Sequence, residues 1–98
     1  MSLTEDVRTT VLCIPAGQVT TYGDIGATVG APARQVGRIM SLLSDDIPWW
    51  RVVRADGTPP SCHGGIAPQL LRAENTPMRG QRIDMPLARV RRPPRHRP

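Results

Sequence analysis

Two adjacent tryptophans, Trp49 and Trp50, follow Pro48 in a chain of 98 residues that has no Phe and a single tyrosine, Tyr22. Paired indoles suit either of two jobs. They can fill a core short of Phe, or they can offer a flat face to a nucleic-acid base, a contact worth roughly 1–3 kcal/mol. The nucleophiles are few: Cys13 and Cys62 are the only cysteines, and they form no C-x-x-C pair. That number excludes a disulfide framework and offers no zinc pattern, so neither a metal nor a cofactor is expected. Cys62-His63 stands just before Gly64-Gly65, which makes Cys62 a conceivable relocated thiol nucleophile. Cys13 lies beside an apolar helical stripe and reads as a packing residue.

These side chains need elements to position them. Ser2-Leu-Thr-Glu5 has the form of a capping box, and Leu3, Val7, Val11 and Ile14 continue as one stripe of an amphipathic helix that stops before Pro15. Pro15-Ala-Gly17 is turn chemistry, and Val19 to Thr21 is a short β-prone stretch. Thr21, with Asp24 three residues on, caps a second helix through Ile25 and Val29, which Gly30 ends. Pro32 suits the first turn of a third helix. Val36, Ile39, Met40 and Leu43 form its inner face, and Arg34, Arg38 and Ser41 its outer one. Helix, tight glycine turn and basic-faced helix is the helix-turn-helix pattern, whose second helix contacts DNA, although ordinary helical pairs look similar. Beyond it, Ile47 to Arg54 reads as extended, which would turn Trp49 and Trp50 to opposite faces. Asp56-Gly57 marks a turn, Thr58 to Gly65 a loop, Ile66 to Glu74 a last helix with Leu70 and Leu71 inward, and Gln81 to Met85 a terminal strand.

Charge divides the chain in two. Residues 1–87 hold eight arginines against eight acids, whereas residues 88–98 hold five arginines and no acid, so the whole formal charge of +5 lies in the tail. We therefore expect one domain over residues 1–87 and a disordered basic tail over 88–98, its three prolines opposing a helix. Such a tail adds salt-sensitive, sequence-blind affinity for phosphate if it meets nucleic acid. No apolar run approaches the roughly 20 residues of a bilayer span, and Glu5 and Asp6 stand where a signal peptide would carry bases. A reducing cytoplasm and no membrane partner are the expectation.

Three segments in order carry more than composition does. Ile14-Pro-Ala-Gly-Gln-Val-Thr-Thr-Tyr-Gly-Asp-Ile25, then Ala33-Arg-Gln-Val-Gly37, then Ile47-Pro-Trp-Trp-Arg-Val-Val53 resembles the C-terminal domain of the O6-alkylguanine-DNA alkyltransferases, with order and spacing matched over residues 3–85. The resemblance implies a mainly α, small α+β fold, a winged-helix-like helix-turn-helix domain of the alkyltransferase C-terminal type. That family carries its alkyl-accepting cysteine in an Ile-Pro-Cys-His-Arg-Val segment. Trp49 and Trp50 occupy the cysteine and histidine positions here, and tryptophan for that cysteine is the mark of alkyltransferase-like proteins, which bind alkylated guanine without repairing it.

On that resemblance, Tyr22 presses on the phosphate backbone and helps rotate the target nucleotide out of the duplex. Arg34 enters the stack from the minor groove and fills the gap, with Gln35 and Arg38 as further DNA contacts on the same helix. Trp49, Trp50, Arg51, Cys62 and His63 line the lesion pocket together with Tyr22. Arg51 also holds the strand and loop by charge-assisted hydrogen bonds, and Glu74 keeps a structural role. The implied activity is non-enzymatic recognition of O6-alkylguanine in double-stranded DNA by a monomer, flagging the lesion for nucleotide excision repair proteins. Two rivals remain at this stage: an alkyltransferase using Cys62, and a helix-turn-helix transcription regulator reading undamaged sequence.

Overall fold

A computed structural model describes residues 2–43 and 46–90. Helix α1 (Leu3–Leu12) begins where Ser2 Oγ accepts the Glu5 N–H at 3.1 Å, and it buries Val7 and Val11. It ends two residues earlier than the stripe suggests. Cys13 is the C-cap and is exposed, a correction to its expected packing role, because the turn into Pro15 carries it off the buried face while Ile14 goes inside.

Strand β1 (Thr20–Thr21) runs straight into α2 (Tyr22–Val29). Thr21 is both the last strand residue and the N-cap, its Oγ1 accepting the Asp24 N–H at 3.0 Å. Gly30, at φ 81 and ψ 39, closes α2 in the left-handed region that costs a glycine little. Gly26 serves the same turn differently: a Cβ there would lie 2.2 Å from the Ala31 carbonyl oxygen. Helix α3 (Ala33–Met40) follows with Pro32 as its N-cap, so Ser41 and Leu43 lie past its end.

The stretch expected to be extended is not a strand throughout. Trp49–Arg51 forms a 3-10 turn and only Val52–Val53 forms strand β2, paired parallel with β1 in the register Thr20 to Val52 and Thr21 to Val53. Pro48 has no N–H to give a ladder; instead its carbonyl accepts the Arg51 N–H at 3.1 Å and the chain coils. After a turn at Gly57, the loop over residues 58–65 ends in α4 (Cys62–Gly65), a single turn whose His63 and Gly64 have left-handed dihedrals. Helix α5 (Ala67–Ala73) buries Ala67 and Leu71, while Leu70 stays half-buried. A hairpin of β3 (Met78–Arg79) and β4 (Arg82–Ile83) leads to α6 (Met85–Ala88).

Two apolar clusters meet across the β1–β2 pair. Val7, Val11, Ile25, Val36, Ile39, Ile47 and Val52 form the first, and Val19, Val53, Leu71, Ile83 and Ala88 the second. Alternation along β2 sends Val52 into one and Val53 into the other. Ala88 belongs to the ordered domain, as do the next two residues. The Val19 N–H donates to the Ala88 carbonyl at 3.0 Å, the Val90 N–H donates to the Val19 carbonyl at 2.8 Å, and Arg89 forms a bidentate pair with Asp24. Residues 88–90, which the sequence reading places in the tail, thus pack on the domain, through a backbone partner at Val19 that composition could not reveal. The rest of the expected tail, residues 91–98, lies outside the described residues.

Candidate nucleic-acid interface and base site

The outer face of α3 holds Arg34, Gln35 and Arg38, all exposed, while Val36 and Ile39 turn into the first cluster. The three polar residues line an open concavity of about 720 Å³ together with Pro32 and Ala33. No side chain caps the start of α3, so its first N–H groups and the positive end of its dipole add to the charge of Arg34. Guanidinium groups and uncapped amides on one exposed helix face are donors for phosphate oxygens or base edges.

Tyr22 stands at the start of α2, half-buried against the first cluster, with its ring near Gly37 of α3. Burial pushes the Tyr22 phenol up, and Cys62 adds to this while Arg54 opposes it. The hydroxyl therefore remains protonated at neutral pH, a neutral donor that can press close to an anionic backbone. Arg54 was missed in the sequence because it belongs to no motif and comes near Tyr22 only through the β1–β2 pairing.

Trp49 is 8% exposed. Its ring is stacked by His63, centroids 3.9 Å apart and planes inclined 14°, and it meets Trp50 edge-on at 5.6 Å and 88°. The 3-10 turn thus sends the two indoles to different places. Trp50 packs on the second cluster with the Arg51 guanidinium 5.4 Å from its ring centre. Arg51 donates to Glu74 through Nε at 3.0 Å and through Nη2, and to the Ile14 carbonyl at 2.8 Å. These contacts face the interior joint between α5, the 3-10 turn and the end of α1. Trp50 and Arg51, expected to line the lesion pocket, are engaged at this joint by the second cluster and by Glu74. Of the other expected site residues, Trp49 and His63 are stacked, Cys62 adjoins His63 in α4 and acts electrostatically on Tyr22, and Tyr22 lies near Gly37 of α3.

Glu74 shows what became of the acid. Burial pushes its carboxyl up, but Arg51, the Trp50 indole and the Gly17 amide outweigh that and hold it below the ordinary carboxylate range. The Trp50 Nε1 is buried without a well-formed hydrogen bond, yet its N–H dipole acts on the carboxylate. A carboxylate held this way by a guanidinium is a structural clamp. Among the described residues no group of His, Cys, Asp or Glu is arranged to hold a metal ion, and no helix is long and apolar enough to cross a membrane.

A parallel strand pair, a helix-turn-helix with a cationic outer face and a neighbouring aromatic site together define a small DNA-binding domain. Residues 2–76 match the family described as the DNA binding domain of 6-O-methylguanine DNA methyltransferase, and the chain belongs to that family. It is 48% identical over 52 residues to the DNA base-flipping protein of Escherichia coli, covering 49% of this chain and 40% of that protein. It is 49% identical over 49 residues to alkyltransferase-like protein 1 of Schizosaccharomyces pombe, covering 46% and 45%. The aligned segments span less than half the length of these curated relatives. Over most of its length the fold superposes on the Schizosaccharomyces pombe alkyltransferase-like protein in complex with damaged DNA containing O6-carboxymethylguanine, with a TM-score of 0.74, 29% identity, and coverage of 91% of this chain and 94% of that one. The Mycobacterium tuberculosis alkyltransferase in complex with DNA gives a TM-score of 0.68 at 32% identity over 76% of this chain and 49% of that one. The mainly α, small α+β alkyltransferase-like fold expected from the sequence is the fold observed.

Proposed function

We propose that this chain recognises O6-alkylguanine in duplex DNA and holds it without chemical repair. Helix α3 docks in the minor groove, Tyr22 and Arg34 extrude and replace the nucleotide, and Trp49 receives the base. Gln35 and Arg38 fix the helix on the duplex. Extrusion costs a few kcal/mol, and least where an alkyl group has already weakened the pairing, so lesion preference follows from the step itself. The observation that carries this reading is the exposed arginine face of α3 in a chain that matches the alkyltransferase DNA-binding family, and the resemblance supports it by setting the indole of Trp49 at the position of the family's thiol. An indole carbon or N–H cannot displace an alkyl group from oxygen as a thiolate does.

The curated relatives named for base flipping, and the related structure with damaged DNA, support the same reading. Nucleotide excision repair proteins as the downstream partners, and a monomeric state, follow from the family resemblance alone. Exposed free thiols at Cys13 and Cys62 favour a reducing compartment, the cytoplasm.

The test is binding to two matched duplexes at physiological salt, one with a single O6-methylguanine and one with guanine, followed by analysis of the recovered base. A preference of tenfold or more, about 1.4 kcal/mol, with the methyl group intact is the expected result. Equal affinity would leave a helix-turn-helix regulator, and methyl transfer to protein, lost in Cys62→Ala, would establish an enzyme.

A further inference from the structure

His63, expected to line the lesion pocket, covers the ring that the proposed function assigns to the base. Its imidazole lies nearly parallel to the Trp49 indole at 3.9 Å between centroids, a face-to-face contact of the kind a stacked base would make. His63 is exposed while Trp49 is only 8% exposed, so the imidazole covers the side of the indole that faces solvent. Two rings cannot share that slot. The edge of the Trp49 ring meets Trp50, which is partly buried against the second cluster.

The backbone that presents the imidazole is unusual in the same place. His63 at φ 56, Gly64 at φ 69 and Gly65 at φ 75 are three consecutive left-handed residues. Neither glycine is there for close packing, since a Cβ on either would meet nothing within 4 Å. Their use is conformational: they let the turn reverse and lay the side chain of His63 on Trp49. A histidine held left-handed is disfavoured on its own, and stacking offsets that cost. Residues 61–66 are exposed throughout and none belongs to either apolar cluster, so a displacement of the turn leaves both cores packed.

We propose that His63 is a built-in base mimic, which occupies Trp49 in the free protein and is displaced by the flipped guanine. The proposal rests on Trp49 being the receiving surface. It makes His63 a determinant of affinity for damaged DNA. Every captured base must first replace the imidazole, whereas binding to undamaged duplex through the α3 face leaves the stack in place. The glycines at 64 and 65 are the hinge of that exchange.

The full chain is compared as wild type, His63→Ala and His63→Phe on the matched O6-methylguanine and guanine duplexes. Loss of the competing stack should tighten lesion binding about two- to tenfold in His63→Ala, with undamaged-duplex affinity little changed. His63→Phe, which keeps an aromatic occupant, should bind the lesion no more tightly than wild type. In proton spectra the His63 ring signals, separable from those of His96, the one other histidine, should be displaced by the Trp49 ring current in the free protein and with undamaged DNA. They should return to ordinary positions with the lesion duplex. Weaker or unchanged lesion binding in His63→Ala, or a ring-current displacement that survives in the lesion complex, overturns the proposal while wild-type lesion preference stands. Absence of any wild-type preference overturns the underlying function, and this proposal with it.

Discussion

At the scale of single residues, the resemblance sets Trp49, Trp50 and Glu74 at the alkyltransferase cysteine, histidine and acid positions, and the proposed function has binding without transfer there. Trp50 packs on the second cluster, and Glu74 is committed to Arg51. Restoring sulfur alone should therefore not restore chemistry. Trp49→Cys is expected to transfer no alkyl group in a radiolabelled-DNA assay, since no imidazole stands at 50 to activate the thiol. Arg34→Ala should weaken binding to the lesion duplex by about 1–3 kcal/mol, measured by titration against the undamaged duplex. The Glu74 clamp has a pH signature. Its folded carboxyl titrates below the ordinary value, so its contribution is complete above the unfolded carboxylate range near pH 4 to 5. That contribution is lost as pH falls through the lower folded value. Glu74→Gln should flatten that acid limb in urea unfolding followed between pH 6 and 3, and an unchanged limb would remove Glu74 from the account.

At the scale of elements, the α2–α3 turn decides whether α3 presents its arginines at all. Gly30 supplies the left-handed residue, and its N–H donates to the Gly26 carbonyl at 2.8 Å, as does that of Ala31 at 2.9 Å. The absence of a Cβ on Gly26 lets the Ala31 carbonyl close on α2. Gly26→Ala must push the turn apart and should cost about 1–3 kcal/mol in thermal or urea unfolding, with DNA binding reduced in parallel. Thr21→Ala, which removes the α2 cap, should cost about 1 kcal/mol. The role of Gly30 was legible in the sequence because helix stops are local. That of Gly26 was not, because its reason is an atom five residues away that approaches only after the chain reverses.

At the scale of the whole molecule, the C-terminal segment closes the second cluster. Ala88 is fully buried and Arg89 ties this end of the chain to Asp24 of α2. A chain ending at Leu87 should lose Ala88 burial, two backbone hydrogen bonds to Val19 and the Asp24 pair, and should melt several degrees lower. One ending at Val90 should keep its stability and its lesion preference. It should also show a shallower dependence of affinity on salt, because four arginines are removed with residues 91–98. Equal melting of the two truncations would mean that the Val19 and Ala88 contacts contribute nothing.

The sequence by itself determined what is written in local spacing. The caps at Ser2 and Thr21, the stop at Gly30, the inner and outer faces of α3 and the ordered trio of family segments all follow from neighbours within a turn or two. Tertiary structure alone decided what depends on contacts between distant segments. Pro48 broke the expected strand into a coil that left Trp49 and Trp50 in edge contact, and the Arg51–Glu74 clamp drew Arg51 inside. The β1–β2 pairing brought Arg54 toward Tyr22, Val19 gave the end of the chain a partner, and the left-handed turn at residues 63–65 laid an imidazole on the indole. Periodicity reports which face of an element is apolar; which distant ring fills a given slot is set by chain reversal and packing, and these leave no local trace.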